Sequence, residues 1–221
     1  MKTEEKLFRL FARAGEELYL VGGRVRDHIL GMETGDLDFA TGAMPEATME
    51  ILRDAGVKPI IVGIRFGTVA AEFTEDGSTV PVQITTYRCR ETYEEGSRHP
   101  AVEFGGNIED DLSRRDFTVN AIAMDAEGKI FDPLDGTGDI RRRVLRTPLD
   151  PLVTIREDPL RMLRAYRFAC RLGFSLDADL FVVKLTVFIG HLEKQQIGKL
   201  LQIIAVTDAV IPQGVTETPD F

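Results

Sequence analysis

The paired glycines Gly22 and Gly23 close a short apolar run, Leu18–Val21, and the acidic pair Asp36 and Asp38 stands on the next extended run. This order constrains the fold more than any other feature of the chain. Side chains alternate along a strand, so carboxylates two residues apart face the same side. Carboxylate oxygens at that spacing suit Mg²⁺, a hard ion that keeps room for substrate phosphates. Paired glycines bring backbone N–H groups against an anion and open a helix, whose N-terminus favours phosphate. Together they predict a nucleoside triphosphate held by Gly22 and Gly23 over a metal on Asp36 and Asp38.

Around this motif the pattern alternates between helix and strand. Apolar Leu7, Phe8, Leu10 and Phe11 predict an amphipathic helix over 4–14. A strand follows at Leu18–Val21, then a helix over 25–30 closed by Gly31, and the carboxylate strand over 37–40. Pro45 opens a helix reaching about residue 55. Strands are expected over 59–62, 68–73 and 79–87, the last two joined by a turn at 75–78. The outcome is an α+β fold, a mixed sheet with helices on one face. Residues 88–106 are charged and aperiodic and read as a long functional loop. Short strands are expected over 120–124 and 129–131. Residues 160–172 and 177–204 carry helical spacing, and 212–221 read as a frayed tail.

Charge narrows the function. The chain has 221 residues, 43% of them hydrophobic, and a net charge of -9. That balance argues against a protein that coats nucleic acid. Nine arginines nevertheless fall between Arg141 and Arg171, against Asp150, Glu157 and Asp158, which leaves a local polyanion site open. Two cysteines, Cys89 and Cys170, fit a reducing compartment. The first six residues lack a signal peptide's apolar core, and the run 180–189, broken by Lys184, is too short to span a bilayer. A cytoplasmic protein without a membrane partner is expected.

Three further clusters join the first. Arg114, Arg115, Asp116 and Asn120 combine cations that pair with phosphate or ribose oxygens with an acid that accepts from a ribose hydroxyl. Glu157 and Asp158 precede Arg161, Arg164 and Arg167, which recur every three residues as a drifting basic stripe. An acceptor on Asp158 beside donors on Arg161 suits the edge of a base. Asp132, Asp135, Gly136 and Asp139 read as a structural turn into a helix.

In this order the clusters resemble the catalytic head of the class II nucleotidyltransferases, the bacterial tRNA CCA-adding enzymes and poly(A) polymerases. The matching stretches are 20–27, 36–38, 114–121, Asp135-Gly136 with Asp139-Ile140, and 157–168. The resemblance covers roughly residues 18 to 176. It implies a polymerase-β-like nucleotidyltransferase head over 1–146, a short all-helical neck over 147–210, incomplete and without body and tail domains, and a tail over 211–221. It also implies roles. Asp36 and Asp38 would hold two Mg²⁺ ions for in-line displacement, while Gly23 and Arg26 grip the triphosphate. Arg115 and Asp116 would read the ribose. Asp158 and Arg161 would template the base of ATP or CTP, supported by Arg164 and Arg167. The segment 88–106 would be the loop that switches between the two nucleotides, and the partner would be an RNA 3′ end, that of tRNA.

Gly67-Thr68-Val69 resembles CCA- and A-adding members more than poly(A) polymerases. The strand 82–88 resembles a family strand that usually has Glu or Asp where this chain has Gln83. The alternatives to an enzyme adding CMP and AMP are a poly(A) polymerase and a catalytically weakened nucleotide-binding fragment. A metal-dependent hydrolase would need His-Asp pairing, which His28, His99 and His191 do not offer.

Overall fold

The computed structural model describes residues 2–32, 36–92 and 101–183, and the chain divides into two compact units, Met1–Leu180 and Phe181–Phe221. The first is described below. Expected helix, neck and tail beyond residue 183 lie outside the described residues.

Helix α1 (Thr3–Ala14) buries Leu7 and Phe11 and ends at Gly15, whose left-handed φ of 77° lets its N–H reach Ala12. Strand β1 (Leu18–Val21) leads into α2 (Gly23–Ile29), and β2 (Leu37–Thr41) follows. Helix α3 (Pro45–Asp54) starts on its proline. Then come β3 (Ile60–Gly63), β4 (Thr68–Glu75) and β5 (Ser78–Thr86), the latter two joined by a tight turn at Asp76 and Gly77 with positive φ at both.

Seven strands form one sheet in the order β3-β4-β5-β2-β1-β8-β9, where β8 is Ala123–Met124 and β9 is Ile130–Phe131. The β2–β5 pair is parallel and the other pairs in this sheet are antiparallel. In register, Leu20, Phe39, Ile84 and Val69 make one apolar row across four strands. Phe8 of α1 meets Phe39 edge-on at 5.6 Å between ring centres. The opposite face is covered too, contrary to the expectation of helices on one side. Val21, Ala40 and Tyr87 pack there against Ile108 and Leu112 of α4 (Ile108–Ser113). Alternation along β1 and β2 makes both faces apolar away from Asp38.

The segment 88–106 is not an irregular loop at its ends. Strands β6 (Arg88–Thr92) and β7 (Ala101–Phe104) pair antiparallel. Their charged sequence hides this; Phe104 of β7 lies over Gly67. A Cβ at Gly67 would stand 2.6 Å from the Phe104 ring. The strand expected over 120–124 is likewise shorter. Thr118–Asn120 forms a 3₁₀ turn, pinned by Thr118 donating to Asp139 Oδ2 at 2.5 Å and to the Arg146 carbonyl at 2.8 Å through its N–H.

Beyond α5 (Gly136–Arg142), strand β10 (Val144–Leu145) pairs with β11 (Ser175–Leu176). Helix α6 (Pro151–Glu157) is capped by Asp150, which accepts from the N–H groups of Leu152 and Val153. Glu157 and Asp158 therefore end α6 rather than open α7 (Leu160–Leu172). Among the described residues no helix is long and apolar enough to cross a membrane.

Candidate functional site

A cleft of about 450 Å³ opens where β1, β2, α2, α4, the 3₁₀ turn and α7 converge. At its floor the chain leaves β1 through Gly22, whose φ of 72° and ψ of -136° only glycine adopts freely. A Cβ there would also meet Arg115 Nη1 at 3.3 Å, so the guanidinium lies directly on the backbone of the turn. Asp38, Gly22, Gly23, Arg26, Arg115, Asp116, Asp158, Arg161 and Arg164 all line this cleft, although they come from four separate stretches of chain.

Two expected residues are placed elsewhere. Asp36 is exposed and lines a neighbouring cleft beside Arg24, Glu75 and Pro81. Its charge still raises the pKa of Asp38, so the two acids sense one another. Arg167 is exposed and does not line the cleft. Helical geometry explains why. At about 100° per residue, Arg164, Phe168 and Arg171 fall within about 80° of Arg161, while Arg167 has drifted about 120°. Arg171 and Phe168 take the positions on the cleft.

Asp38 carries no hydrogen bond or ion pair among the described residues. Burial raises its pKa, Arg115 opposes that shift, and Asp36 adds to it. Its strand neighbour in the parallel pair is Gln83, an amide. The cleft thus holds an unneutralised, half-buried carboxylate.

The arginines differ in freedom. Arg26 is only 2% exposed: Nε lies 2.6 Å from Asp27 Oδ1, Nη1 donates to Asn120 Oδ1 at 2.5 Å, and the Phe168 ring lies 5.2 Å from its guanidinium carbon. It braces α2 against the 3₁₀ turn and α7. Arg161, 8% exposed, donates over long distances to the carbonyls of Thr154 (3.4 Å) and Arg114 (3.3 Å) and to Glu157 (3.4 Å). Arg164 is more exposed and sets Nε and Nη2 on Asp116 Oδ2, at 2.9 and 2.6 Å. Asp116 Oδ1 accepts from the N–H of Phe117 at 2.8 Å and from Asn120 Nδ2 at 3.0 Å. Asp158 accepts from the Leu160 N–H at 3.0 Å through Oδ1.

Residue-type reasoning gave no site role to Arg88, Phe168 and Arg171, all of which line the cleft together with Arg114 of the expected cluster. A signal existed for Arg171, seven residues beyond Arg164 on the same side of α7. Phe168 read as core; it meets Phe117 edge-on at 5.8 Å and places its ring beside two arginines. With seven arginines against three aspartates, the cleft is a basic patch inside an acidic chain, a lining suited to an anion.

Comparison with known proteins places this geometry among relatives. The family model described as the poly A polymerase head domain matches residues 18–146. A CCA-adding enzyme of Geobacillus sp. strain WCH70 is 46% identical over 165 residues, covering 75% of this chain and 39% of its own. The crystal structure of the Bacillus stearothermophilus CCA-adding enzyme in complex with CTP is similar with a TM-score of 0.69 at 41% identity, covering 83% of this chain and 43% of that one. A tRNA nucleotidyltransferase complexed with a primer tRNA and an incoming ATP analog gives a TM-score of 0.66 at 32% identity, covering 83% and 50%. The chain spans less than half the length of the curated relatives it matches.

Proposed function

The chain belongs to the poly A polymerase head-domain family, and from that premise we propose that it is a Mg²⁺-dependent, template-independent RNA nucleotidyltransferase adding CMP and AMP from CTP and ATP to the 3′ end of tRNA. The observation that carries this reading is Asp38, an unpaired acid at the foot of an arginine-lined cleft beside the Gly22-Gly23 turn. The names of the relatives, CCA-adding enzymes, support the choice of reaction.

The donor set fits a hard cation. Asp38, with Asp36 two residues before it at the neighbouring cleft, offers carboxylate oxygens with no hydrogen-bonded or ion-paired cation among the described residues, and Asp38 is held where burial disfavours its bare charge. These two residues would hold Mg²⁺, which when bound would lower the pKa of an RNA 3′-hydroxyl and offset charge on the departing pyrophosphate. The 3′-hydroxyl gives up its proton to solvent, its oxygen forms a bond to the α-phosphorus of the nucleotide, the α–β bridging bond breaks, and the pyrophosphate leaves with that electron pair. Backbone N–H groups of the Gly22-Gly23 turn and the Arg115 guanidinium lie where the phosphates would sit. Arg26 acts from beneath, holding the turn against Asn120 and Phe168.

Asp116 orients Arg164, and a ribose hydroxyl would share its oxygens. Asp158 and Arg161 face the cleft as acceptor and donor for a base edge, with Arg161 steadied by backbone carbonyls. The free thiols of Cys89 and Cys170 accord with a cytoplasmic setting.

A second reading, nucleotide binding with weakened turnover, is favoured by Gln83 standing across from Asp38, where an acid would add a third charge. One experiment separates these. Labelled CTP and ATP are offered with Mg²⁺ to tRNA ending before CCA, after C and after CC. Addition in C-C-A order is expected, and Asp38→Ala should reduce it by at least about a thousandfold. ATP added only after CC would mark an A-adder, and unrestricted ATP tailing a poly(A) polymerase. Nucleotide binding without incorporation would favour the second reading, and an active Asp38→Ala would overturn the catalytic assignment.

A further inference from the structure

We propose that Asp111 is a positioning residue for the nucleotide cleft, fixing Arg114 and Arg115 and tethering the hairpin base at Arg88; this rests on the nucleotide reading of the cleft. Asp111 lies on α4, outside the cleft, with 1% of its side chain exposed. Its Oδ1 accepts from Arg114 Nε at 3.2 Å and from Arg114 Nη2, and more weakly from the Arg88 N–H at 3.4 Å. Its Oδ2 accepts from Arg115 Nη2 at 2.9 Å. All three partners line the cleft, and they come from β6 and from the end of α4.

The geometry makes the dependence one-directional. Arg114 and Arg115 are three and four residues beyond Asp111, so one carboxylate on the last turn of α4 reaches both. Arg115 is held by Asp111 through Nη2, while its Nη1 lies against Gly22 and its Nε is buried without a partner. Its charge reaches Asp38, whose pKa it lowers. Without the carboxylate, nothing else in the described structure fixes that guanidinium between the glycine turn and the catalytic acid. Arg88 links the same carboxylate to the loop side. Its backbone N–H is on Asp111, its Nε donates to the Phe66 carbonyl at 2.9 Å, and Phe66 adjoins Gly67 beneath Phe104 of the hairpin. A nucleotide that pulls on Arg115 and a hairpin that shifts at Arg88 therefore act on one group.

Affinity of the full chain for Mg·CTP and Mg·ATP is measured by calorimetry, with thermal melting as the folding control. Asp111→Asn keeps the shape and one acceptor while removing the charge, and it should weaken both nucleotides about tenfold. Arg115→Lys should do the same, and the double variant should be no weaker than the poorer single one, because both substitutions break one linkage. If the two losses multiply, Asp111 does not act through Arg115 and the proposal is overturned. If Asp111→Asn does not fold, Asp111→Glu replaces it in the same cycle, keeping the charge on a longer stem, and multiplying losses again overturn the proposal. A wild-type chain that binds neither nucleotide sinks the nucleotide reading and Asp111 with it. Wild-type binding with multiplying losses sinks the Asp111 proposal alone.

Discussion

At the scale of single residues, the site is decided by which charges already have partners. The side chains of Arg26, Arg161 and Asp116 make bonds inside the protein, whereas the Asp38 carboxylate makes none among the described residues. Such bonds place a donor at no entropic cost to the ligand, at the expense of donors left over for it. Arg167 and Arg171 supply a direct contrast, since both are exposed on α7 and only the latter lines the cleft. Arg171→Ala should weaken Mg·ATP binding roughly threefold to tenfold, because an exposed charge is worth about a kcal/mol or less. Arg167→Ala should change it less than about twofold. Equal losses in a filter-binding or calorimetric titration would show that the face of α7 has been misjudged. Counting every third residue singled out Arg167; the 100° helical turn shifts the useful arginine to position 171. Asp38 and the glycine pair were legible because local alternation and φ freedom are properties of neighbours in sequence, whereas Asp36 precedes β2 and lines the neighbouring cleft.

Elements were legible where one face meets a core and illegible where the tertiary partner decides. Helices α1 and α3 and strands β1, β4 and β5 follow their apolar spacing. Hairpin β6–β7 does not, because its charged residues carry no period and its Phe104 lies over Gly67, more than twenty residues upstream. Helix α4 falls unassigned between the loop expected over 88–106 and the cluster at Arg114, although its capping box of Asn107 and Asp110 is a short-range signal. Gly67→Ala tests whether the Phe104 contact holds the hairpin. The new methyl would collide with the Phe104 ring, at a residue whose φ of 77° is itself costly for alanine. Backbone amides of β6 and β7 should exchange at least about tenfold faster in this variant, a cost of roughly 1.4 kcal/mol, while those of β4 and β5 keep their protection. Unchanged hairpin exchange would place the hairpin's anchor elsewhere.

For the whole molecule, stability depends on buried acids held charged. Burial alone pushes the Asp111 carboxyl up, but the Arg115 and Arg114 guanidiniums outweigh it and hold the group below its ordinary value. A carboxylate lower in the folded than in the unfolded chain contributes stability above the unfolded pKa, and that contribution disappears as pH falls through the folded one. The melting temperature should therefore drop below about pH 4, the usual carboxylate range, and Asp111→Asn should flatten that drop. A parallel decline in both proteins would assign the acid sensitivity to other groups. The parallel β2–β5 pair has a further consequence, in the order of assembly. Strand β2 has β1 on one side at once, but its other neighbour is residues 82–86, reached only after α3, β3 and β4 have been made. Until then the strand bearing Asp38 is an open edge, so pairing that closes late in folding completes the floor of the cleft. A nascent chain emerging from the ribosome meets this gap before any nucleotide could help to bridge it, and crowded synthesis is when the protein is most exposed to pairing with the wrong strand.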